Sequence, residues 1–343
     1  MKKLIVILAV LICVSLTGCA KASPKQDSSL LSTTQSQGAT RTIPQGLNDE
    51  LITEPDDGMT QVMNMIQGAT KSIDLVMYEL EDTQVESALV SAEKRDVAVR
   101  VLLNEGYYGA QPSKESAAAY QYLQSGEVPV RWAPSYFALT HQKTLIVDGN
   151  QALIMTFNLT SQYYSTSRDF GVVDKDQADV SAIEDVFNDD WQGTRDTASQ
   201  GDDLVWSPGA DTIILSMINN SRKSLYIENE EMSDASVVDA LIAATKRGVT
   251  VEVVMTDSSD WNANFTRLKA AGAGVRTYAA SASLYIHAKI ILADGTSVLV
   301  GSQNFSASSL KDNRELGIVL SDTGILNSLS STFQSDWNGG ISF

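Results

Sequence analysis

Residues 287–315 read HAKIILADGTSVLVGSQNFSASSLKDNRE, and this stretch decides how the rest of the chain is interpreted. Its His287, Lys289 and Asp294 fit the pattern H-x-K-x-x-x-x-D. The pattern occurs once more, at residues 141–148, which read HQKTLIVD. A short motif that occurs once is weak evidence, because chance produces such matches. Two matches that use both histidines of the chain indicate a duplicated unit in which each copy contributes to one site.

The first copy of the motif consists of His141, Lys143 and Asp148. Each copy is followed by an asparagine at a corresponding position, Asn158 after the first and Asn304 after the second. A single histidine beside a lysine would more often be a solvated surface pair. Duplication together with matched amide side chains favours a functional constellation over that alternative.

The duplication extends beyond the two motifs. Residues 70–104 align with residues 222–256, and each copy reads as a strand, an amphipathic helix and a second strand. The residues at 82–83 and 233–234 are plausible N-caps for these helices. A strand–helix–strand unit of this length predicts a right-handed crossover between parallel strands.

Each half continues in the same order. A second helix is predicted at 114–125 and at 262–271, and the motif strand follows it. Asp-Gly pairs end both motifs between apolar runs, which is a strong signal for a hairpin. Each half closes with a helix that ends in F-x-x-D-W, which we interpret as core and helix cap. These residues are Phe187, Asp190, Trp191, Phe333, Asp336 and Trp337.

The sequence therefore predicts an α/β fold built from two halves related by a pseudo-twofold axis, residues 49–195 and 204–343. Each half should be a mixed β-sheet flanked by helices, with the active site at the interface between the halves. The polar stretch at 193–203 is interpreted as the junction. Because one chain carries both motifs, a dimer is not required to complete the site, and we expect a monomer.

Side chains alternate along a strand, so the histidine and the lysine of each motif, two residues apart, should share one face. If the halves pack about a twofold axis, both pairs face one cleft. The motif aspartates, Asp148 and Asp294, fall on the opposite face at the turn. We therefore expect them to be structural, bonded to local backbone or to a cationic neighbour.

This constellation suits displacement at a phosphate diester. One imidazole can attack phosphorus and form a covalent phosphohistidine, while the other protonates the leaving oxygen and then activates water or an alcohol. Lysine and amide side chains can stabilise charge on the non-bridging oxygens. Those side chains are Lys143, Lys289, Asn158 and Asn304. No cluster of metal ligands stands out in the sequence, so no metal or cofactor is expected.

A histidine in this role needs an acceptor at its far ring nitrogen, to fix the tautomer. Asp169 and Glu315 follow their respective histidines at the same spacing, where corresponding apolar strands begin, and are the candidates for that acceptor. The preceding Arg168 and Arg314 are expected to pair with phosphate or with a carboxylate.

The N-terminus carries an export signal. Residues 1–18 combine two lysines with an apolar segment that is too short to span a membrane comfortably. The segment ends in Leu-Thr-Gly-Cys, which resembles the bacterial lipobox, so Cys19 is the predicted lipidation site. The alternative is a plain secretory signal with an incidental cysteine. Residues 19–48 are rich in Ser, Thr and Gln and predict a flexible tether.

Composition limits the partners. The formal net charge is −17, from 42 acidic and 25 basic side chains. This argues against loose binding to nucleic acid or to an anionic membrane, because both depend on clustered Lys and Arg. After cleavage Cys19 would be the only cysteine left, so no intrachain disulfide is possible. We expect a bacterial extracytoplasmic protein, lipid-anchored to the cell membrane or to the outer membrane.

The motifs resemble those of the phospholipase D superfamily, in which two H-x-K-x-x-x-x-D motifs are each commonly followed by G-S-x-N. The resemblance covers residues from about 50 to 343. Gly301-Ser302 match it in the second half, whereas Met155-Thr156 replace Gly-Ser in the first and keep only the hydroxyl. The resemblance implies a two-lobed α/β fold, a phosphohistidine and metal-independent hydrolysis or transfer at a phosphodiester. It also implies that His141 is the nucleophile and His287 the acid–base group, with the reverse assignment open.

The resemblance leaves several substrates open. Export, a lipid anchor and an acidic body favour a phospholipid headgroup, and therefore a phospholipase D. The runner-up is an extracytoplasmic nuclease, for which a basic channel would be expected. Cardiolipin synthesis is less favoured because the transmembrane helices common in bacterial synthases are missing, and a non-catalytic binding module is the third class. Four aromatic residues could line a lipid pocket, although packing is the commoner role. They are Trp132, Tyr163, Tyr164 and Tyr285.

Overall fold

The structure is a computed structural model that describes residues 49–195, 201 and 203–343. The predicted signal sequence (1–18), the lipidation site Cys19 and the tether (19–48) lie outside the described residues, as does most of the predicted junction from 196 to 202. In the described part of the chain, no helix is long and apolar enough to cross a membrane.

The first half forms one mixed sheet with helices packed against it. Its central strands are buried along their whole length, which is typical of strands covered on both faces. The strands are β1 (Glu50–Glu54), β2 (Ser72–Met77), β3 (Ala98–Leu103), β4 (Val130–Trp132), β5 (Thr144–Val147), β6 (Gln151–Met155) and β7 (Ser167–Asp174). The helices are α1 (Thr60–Gly68), α2 (Thr83–Glu93), α3 (Lys114–Ser125) and α4 (Gln177–Gln192).

The second half repeats this arrangement. Its strands are β8 (Leu204–Ser207), β9 (Ser224–Glu228), β10 (Thr250–Thr256), β11 (Gly274–Tyr278), β12 (Tyr285–Ile286), β13 (Ile290–Ala293), β14 (Ser297–Gly301), β15 (Glu315–Leu320) and β16 (Ile341–Ser342). Its helices are α5 (Ala210–Asn220), α6 (Ala235–Lys246), α7 (Asn262–Ala271), α8 (Ala307–Lys311) and α9 (Thr323–Gly339). The short β12 leaves this sheet and pairs with β7 of the other half.

The two sheets have the same strand order. It is β1-β7-β6-β5-β2-β3-β4 in the first and β8-β15-β14-β13-β9-β10-β11 in the second, which β16 extends at its edge. The predicted crossovers join parallel strands, since β2 pairs with β3 and β9 with β10 in parallel. Asp82 and Asp234 cap the crossover helices as predicted, because each side chain accepts hydrogen bonds from two backbone N–H groups. The predicted fold of two related α/β halves is confirmed.

The Asp-Gly pairs form the predicted hairpin turns. Asp148 and Gly149 both have positive φ, 55° and 65°, and Asp294 and Gly295 have 57° and 67°. Two successive positive φ angles define the type I′ turn, whose twist matches that of the flanking strands. The turns place the motif aspartates against the start of β2 and β9. Asp148 accepts hydrogen bonds from the backbone N–H groups of 70–72, and Asp294 from those of 222–224.

These contacts confirm the structural role expected of the two aspartates. Each carboxylate joins the motif hairpin to the neighbouring central strand of its own sheet. Partial burial acts to raise the pKa of Asp148, but the backbone hydrogen bonds outweigh it and hold the pKa below its usual value. The same balance holds for Asp294. The carboxylates therefore fix the hairpin that follows each H-x-K segment against the start of β2 or β9.

The core lies in three apolar clusters. The outer clusters bury α1–α3 against the first sheet and α5–α7 against the second. The central cluster lies between the sheets and takes Ile146 and Ile154 from one, Ile290 and Val300 from the other, and side chains of α4 and α9. Each fully buried side chain of this size contributes roughly 1.5–3 kcal/mol. The central cluster therefore holds the two halves face to face.

Two buried ion pairs also join the halves. Arg168 donates to both carboxylate oxygens of Asp336, at 2.6 and 3.2 Å. Arg314 donates to both oxygens of Asp190, at 2.9 and 2.8 Å. The interpretation of these aspartates as helix caps was wrong, because each receives a guanidinium from the other half. Phe187 and Phe333, as predicted, belong to the core.

Candidate active site

Each motif histidine is positioned by backbone contacts with the other half. The segment before His287, β12, pairs in parallel with the start of β7. The carbonyl oxygen of Arg168 then accepts hydrogen bonds from the backbone N–H groups of His287 and the following residue, at 3.2 and 2.9 Å. The carbonyl oxygen of Arg314 does the same for His141 and its successor, at 2.9 and 3.0 Å. The backbone of each motif histidine is therefore bound by the arginine of the other half.

The two H-x-K segments lie immediately before β5 and β13. The expectation that the histidine and lysine occupy a regular strand was wrong. The backbone N–H groups of His141 and His287 bond to the other half, while the carbonyl oxygens of Lys143 and Lys289 accept hydrogen bonds from their own sheet, at 3.0 and 3.2 Å. Each lysine instead turns back and donates to the carbonyl oxygen of its motif histidine. Lys143 Nζ does so at 2.6 Å, and Lys289 makes the same bond.

The predicted acceptors bind the histidines across the interface. Nδ1 of His141 lies 2.9 Å from Oε2 of Glu315, and Nδ1 of His287 lies 2.8 Å from Oδ1 of Asp169. The equal spacing within each half suggested that each half serves its own histidine. The structure exchanges them, because Asp169 and Glu315 directly follow the arginines whose carbonyl oxygens bind the backbone of the other half's histidine. In both rings the carboxylate engages Nδ1, so Nε2 is the nitrogen on the other side of the ring.

Polar neighbours hold both acceptor carboxylates in place. Glu315 is fully buried, and its Oε1 accepts hydrogen bonds from Ser309 Oγ at 2.7 Å and Asn313 Nδ2 at 3.0 Å. Asp169 accepts a hydrogen bond from the hydroxyl of Thr156 at 2.5 Å. Thr156 is the residue that departs from the G-S-x-N pattern, and it keeps the donor that the pattern requires. The departure therefore leaves the carboxylate–histidine pair intact.

The environment of the first motif favours neutral groups. Burial lowers the pKa of His141 below its usual value, although Glu315 opposes the shift. The side chain of Lys143 is 1% exposed, and its Nζ lies 5.0 Å from the ring centroid of Tyr78. Burial lowers the pKa of Lys143 to about 7. A neutral imidazole at His141 has the lone pair on Nε2 that a nucleophile needs.

A further carboxylate enters the site from the end of β9. Oε2 of Glu230 lies 3.1 Å from Lys289 Nζ and 3.4 Å from His287 Nε2, and it also accepts from Asn304 Nδ2 at 3.3 Å. Its other oxygen accepts from the hydroxyl of Tyr285 at 3.3 Å. Burial acts to raise the pKa of Glu230, but the cationic neighbours outweigh it and lower the pKa. The second half therefore presents a carboxylate beside Nε2 of its own motif histidine.

The sequence analysis did not single out Glu230. Its position in the repeat corresponds to Tyr78, which packs edge-on against His141 with ring centroids 4.7 Å apart. This difference between otherwise similar copies was the available signal. It makes the two histidines chemically distinct, since one faces an aromatic ring and the other a carboxylate.

One cavity of about 850 Å³ brings the predicted groups together. Its wall includes both histidines, both motif asparagines and Asp169, while Glu315 and the two motif lysines lie behind it. Tyr163, Tyr164 and Tyr285 line it, whereas Trp132 instead stacks on Tyr120. In the described part of the chain, no Lys or Arg is on the cavity wall. Among the described residues, no group of three or more His, Cys, Asp or Glu is arranged to hold a metal ion.

This geometry can be compared with known proteins. A family model described as "Cardiolipin synthase, PLD-like domain" matches residues 62–191 and 214–337. Cardiolipin synthase 2 of Bacillus cereus is 22% identical over 334 residues, which cover 83% of this chain and 63% of that protein. The major cardiolipin synthase of Bacillus subtilis (strain 168) is 25% identical over 334 residues, covering 84% and 68%. This chain thus spans about two thirds of the length of these relatives.

Solved structures share the fold. Phosphatidylserine synthase of Haemophilus influenzae Rd KW20 has a TM-score of 0.69 at 13% identity, over 88% of each chain. Polyphosphate kinase of Porphyromonas gingivalis has a TM-score of 0.64 at 15% identity, over 83% of this chain and 46% of that one. Such identities establish the fold alone, whereas the family model covers both halves of the sequence. The chain belongs to the phospholipase D superfamily, in the family described as "Cardiolipin synthase, PLD-like domain".

Proposed function

We propose that this protein is a phosphodiesterase of the phospholipase D type, which cleaves the headgroup diester of phospholipids through a covalent phosphohistidine and without a metal ion. The observation that carries the proposal is the reciprocal pairing of His141 with Glu315 and of His287 with Asp169. Each pair fixes Nδ1 to a carboxylate and leaves Nε2 for the cavity that the two rings share.

In the first step Nε2 of His141 attacks phosphorus. The P–N bond forms as the bond from phosphorus to the headgroup oxygen breaks, and His287 transfers its Nε2 proton to that oxygen. Burial supports this assignment of the nucleophile, since it lowers the pKa of His141 and keeps the ring neutral. His287 suits the acid role because both its ring nitrogens face carboxylates, Asp169 and Glu230.

In the second step the phosphohistidine is hydrolysed. His287 takes a proton from water, whose oxygen bonds to phosphorus as the P–N bond to His141 breaks. The phosphate monoester leaves, and both histidines return to their starting protonation. We assign to Lys143 and Lys289 the stabilisation of the charge that develops on the non-bridging oxygens. Asn158 and Asn304 would join them by turning their amide N–H groups from Glu79, Glu230 and Glu231, to which these groups donate in the structure.

A second candidate is transfer to an alcohol in place of water. The specific support is the family model and the cardiolipin synthases that this chain resembles. The chemistry of the first step is the same, and the hydroxyl of a second lipid would then give its proton to His287. Nuclease activity has less support, because the described cavity wall has no Lys or Arg to hold a polyanion.

The test is an assay of the full-length protein in detergent with a chelator present. The substrates are vesicles of phosphatidylcholine or phosphatidylglycerol, and single- and double-stranded DNA. Release of headgroup alcohol without nicking supports the phospholipase, and formation of cardiolipin from phosphatidylglycerol supports transfer. Nicking of DNA without cleavage of phospholipid would show that the protein is a nuclease. Loss of activity with the chelator would show that the reaction needs a metal ion.

Two variants test the mechanism itself. Both His141→Ala and His287→Ala should abolish turnover of phospholipid while the protein stays folded. With a p-nitrophenyl diester, whose leaving group needs no acid, His287→Ala should accumulate a phosphohistidine detectable by mass spectrometry at alkaline pH. His141→Ala should form none. Accumulation in the opposite variant would exchange the two roles, and none in either would exclude the covalent path.

A further inference from the structure

We propose that Glu54 is a positioning residue for the acid–base histidine, because it shares one proton with Asp169 and so sets how firmly His287 holds the proton that it exchanges with the substrate. The proposal rests on the proposed function, in which His287 is first the acid and then the base. It adds a third group to the pair that His287 forms with Asp169. Glu54 lies before the first of the segments that the family model matches, 62–191 and 214–337.

Glu54 lies directly opposite Asp169 in the first sheet. The strands β1 and β7 are antiparallel, and Glu54, at the end of β1, is the register partner of Asp169. Side chains that lie directly opposite on antiparallel strands project from the same face, with Cβ atoms roughly 4.5–5.5 Å apart. The side chain of Glu54 is therefore next to the carboxylate that binds Nδ1 of His287 at 2.8 Å.

The carboxyl group of Glu54 is buried and lacks a partner in the described part of the chain. Glu54 is 1% exposed, and neither of its carboxyl oxygens has a hydrogen-bond partner among the described residues. The neighbouring guanidinium of Arg168 donates to the backbone carbonyl oxygen of Glu54 at 2.6 Å and to the carboxylates of Asp56 and Asp336. A charged carboxylate without a donor is unfavourable in such a place, whereas a protonated one needs only an acceptor.

Asp169 can supply that acceptor. Its Oδ1 already accepts from the hydroxyl of Thr156 at 2.5 Å and lies 2.8 Å from Nδ1 of His287. Its Oδ2 lies 3.1 Å from the same nitrogen and has lone pairs for a further donor. Two adjacent carboxyl groups do not readily ionise together, so they hold one proton between them. Because Asp169 has its own donors, the proton rests on Glu54, which donates it to Oδ2.

The surroundings of Glu54 favour its protonated form up to neutral pH. Burial raises the pKa of Glu54 to about 7, and the charge of Asp169 acts in the same direction. The backbone N–H of Gly58 opposes this shift without forming a hydrogen bond of good geometry. The other titratable or charged groups around Glu54 are Asp56, Asp57, Tyr164 and Arg168. Those that act on Asp169 or on His287 include Glu228 and Glu230.

The second half has a neutral residue at the corresponding position. Ser207, at the end of β8, is the register partner of Glu315, as Glu54 is of Asp169. The carboxylate of Glu315 instead receives hydrogen bonds from a hydroxyl and an amide, which do not titrate. The two copies therefore differ behind their histidines, and the acid stands behind the histidine that must both give and take a proton.

Ionisation of Glu54 should change the reactivity of His287. As the pH rises through about 7, Glu54 loses its proton and places a second negative charge beside Asp169. That charge favours the imidazolium form, so His287 becomes a stronger base and a weaker acid. Breakdown of the phosphohistidine, in which His287 takes a proton from water, should therefore be faster when Glu54 is charged.

The first test uses the histidines as probes, because the chain contains only two. Full-length protein labelled with ¹⁵N in its histidine rings gives separate signals for each ring, and His141→Ala assigns them. The signals of His287 should show an inflection near pH 7 from Glu54 in addition to their own titration. Both Glu54→Gln and Glu54→Ser should remove this inflection. The serine variant copies the residue that the second half uses at this position, which guards against loss of folding.

Glu50→Gln is the matched control, since it makes the same change on the same strand at an exposed residue, and the inflection should remain. A His287 titration that is the same in both Glu54 variants as in the parent would overturn the inference and leave the proposed function intact. A coupled titration in a protein that cleaves no phospholipid would retain the shared proton and reject the proposed function.

The second test measures breakdown of the phosphohistidine formed from the p-nitrophenyl diester. The ratio of the breakdown rates at pH 8 and at pH 6 should be about threefold or more higher in the parent than in Glu54→Gln. Titration of Lys143 affects both proteins alike, so it cancels in this comparison. Equal ratios would show that the proton on Glu54 does not reach the chemistry of His287, and would overturn the positioning role.

Discussion

Nδ1 of His141 lies 2.9 Å from Oε2 of Glu315, which follows it by 174 residues in the chain. The corresponding bond joins His287 to Asp169, 118 residues earlier. Both bonds cross the interface between the halves, as does the pairing of β12 with β7, whereas each half keeps its own outer core. Catalytic competence therefore depends on how the halves are docked, and not only on how each half folds.

Replacing either acceptor should separate the two chemical steps. Glu315→Gln and Asp169→Asn keep the size of the side chain but remove the charge that fixes the imidazole tautomer, so we expect kcat to fall by about 10²–10⁴-fold. With the p-nitrophenyl diester, Glu315→Gln should slow formation of the phosphohistidine and Asp169→Asn its breakdown, as measured by rapid quench. Equal effects on both steps, or a loss of rate that parallels a loss of thermal stability, would contradict separate positioning roles.

The pH dependence of kcat/KM should be bell-shaped. His141 must be neutral to attack, and burial lowers its pKa below the usual 6.5, so the acid limb should lie below that value. Lys143 must be charged to bind phosphate, and as the pH rises through about 7 it loses its proton, so the basic limb should lie near 7. A profile that rises steadily from pH 6 to 9 would be inconsistent with this.

Lys143→Arg tests the assignment of the basic limb. Arginine keeps its charge throughout this range, so the limb should move upward by about one pH unit or more, even if the maximal rate falls. Lys175→Arg is the control, because Lys175 pairs with Glu50 away from the cavity. An unmoved limb in the Lys143 variant would assign it to another group.

The buried ion pairs should matter more for stability than for chemistry. Asp190→Asn leaves the guanidinium of Arg314 buried without its carboxylate, so we expect a loss of about 3–5 kcal/mol in the free energy of unfolding. The double variant Asp190→Leu/Arg314→Met should recover much of this loss. Asp185→Asn, on the exposed side of the same helix, should change stability by less than about 0.5 kcal/mol. Denaturant titrations give the free energy of unfolding of all three variants. An Asp190→Asn protein as stable as the parent would contradict the role assigned to the ion pair.

Asp148→Asn should destabilise the first half without removing catalysis. The carboxylate accepts three backbone N–H groups, and weakening these bonds should cost about 1–2 kcal/mol. The pKa of Asp148 is lower in the folded protein than its usual value of 3.8 in the unfolded chain. Its contribution to the free energy of unfolding is therefore fully present above pH 3.8 and is lost as the pH falls through the pKa of the folded state. The difference from the parent protein should therefore shrink at acid pH. A large loss of kcat in a variant that remains folded would indicate that Asp148 takes part in catalysis.

The lipid anchor remains a proposal that can be tested in cells. Cys19→Ser should remove the lipidation site and release the protein from the membrane fraction. Metabolic labelling with a fatty acid should mark the parent protein and not the variant. Unchanged membrane association of an unlabelled variant would reject the lipobox and favour a plain secretory signal.

The sequence predicted much of this molecule because the repeat is explicit. Strand and helix types follow from periodicity, and the positions of Asp82, Asp234 and the Asp-Gly turns follow from local hydrogen bonding and backbone geometry. Periodicity, capping and turn preferences depend on residues that are close in sequence, so they locate helices, strands and turns well. They carry no information about which half supplies a partner, which is why the exchange of Asp169 and Glu315 was not foreseen.

The remaining differences have the same origin. Asp190 and Asp336 look like helix-terminal residues until the other half supplies an arginine. The H-x-K segments look like strands by alternation, yet the backbone N–H groups of their histidines bond to the other half. Glu230 was missed because only comparison with Tyr78 marks it as different. For the aspartates and the H-x-K segments, contacts across the pseudo-twofold axis decide the outcome, whereas Glu230 contacts Lys289 and His287 of its own half.

The crossed carboxylate–histidine bonds make the halves chemically interdependent. A polypeptide that ended at the junction would contain an imidazole and a carboxylate, but each would lack its counterpart, so a lone fragment should be inert even if it folded. Supplying the two fragments together should restore activity only when they associate. A change to the acceptor in one half therefore alters the environment of the histidine in the other half.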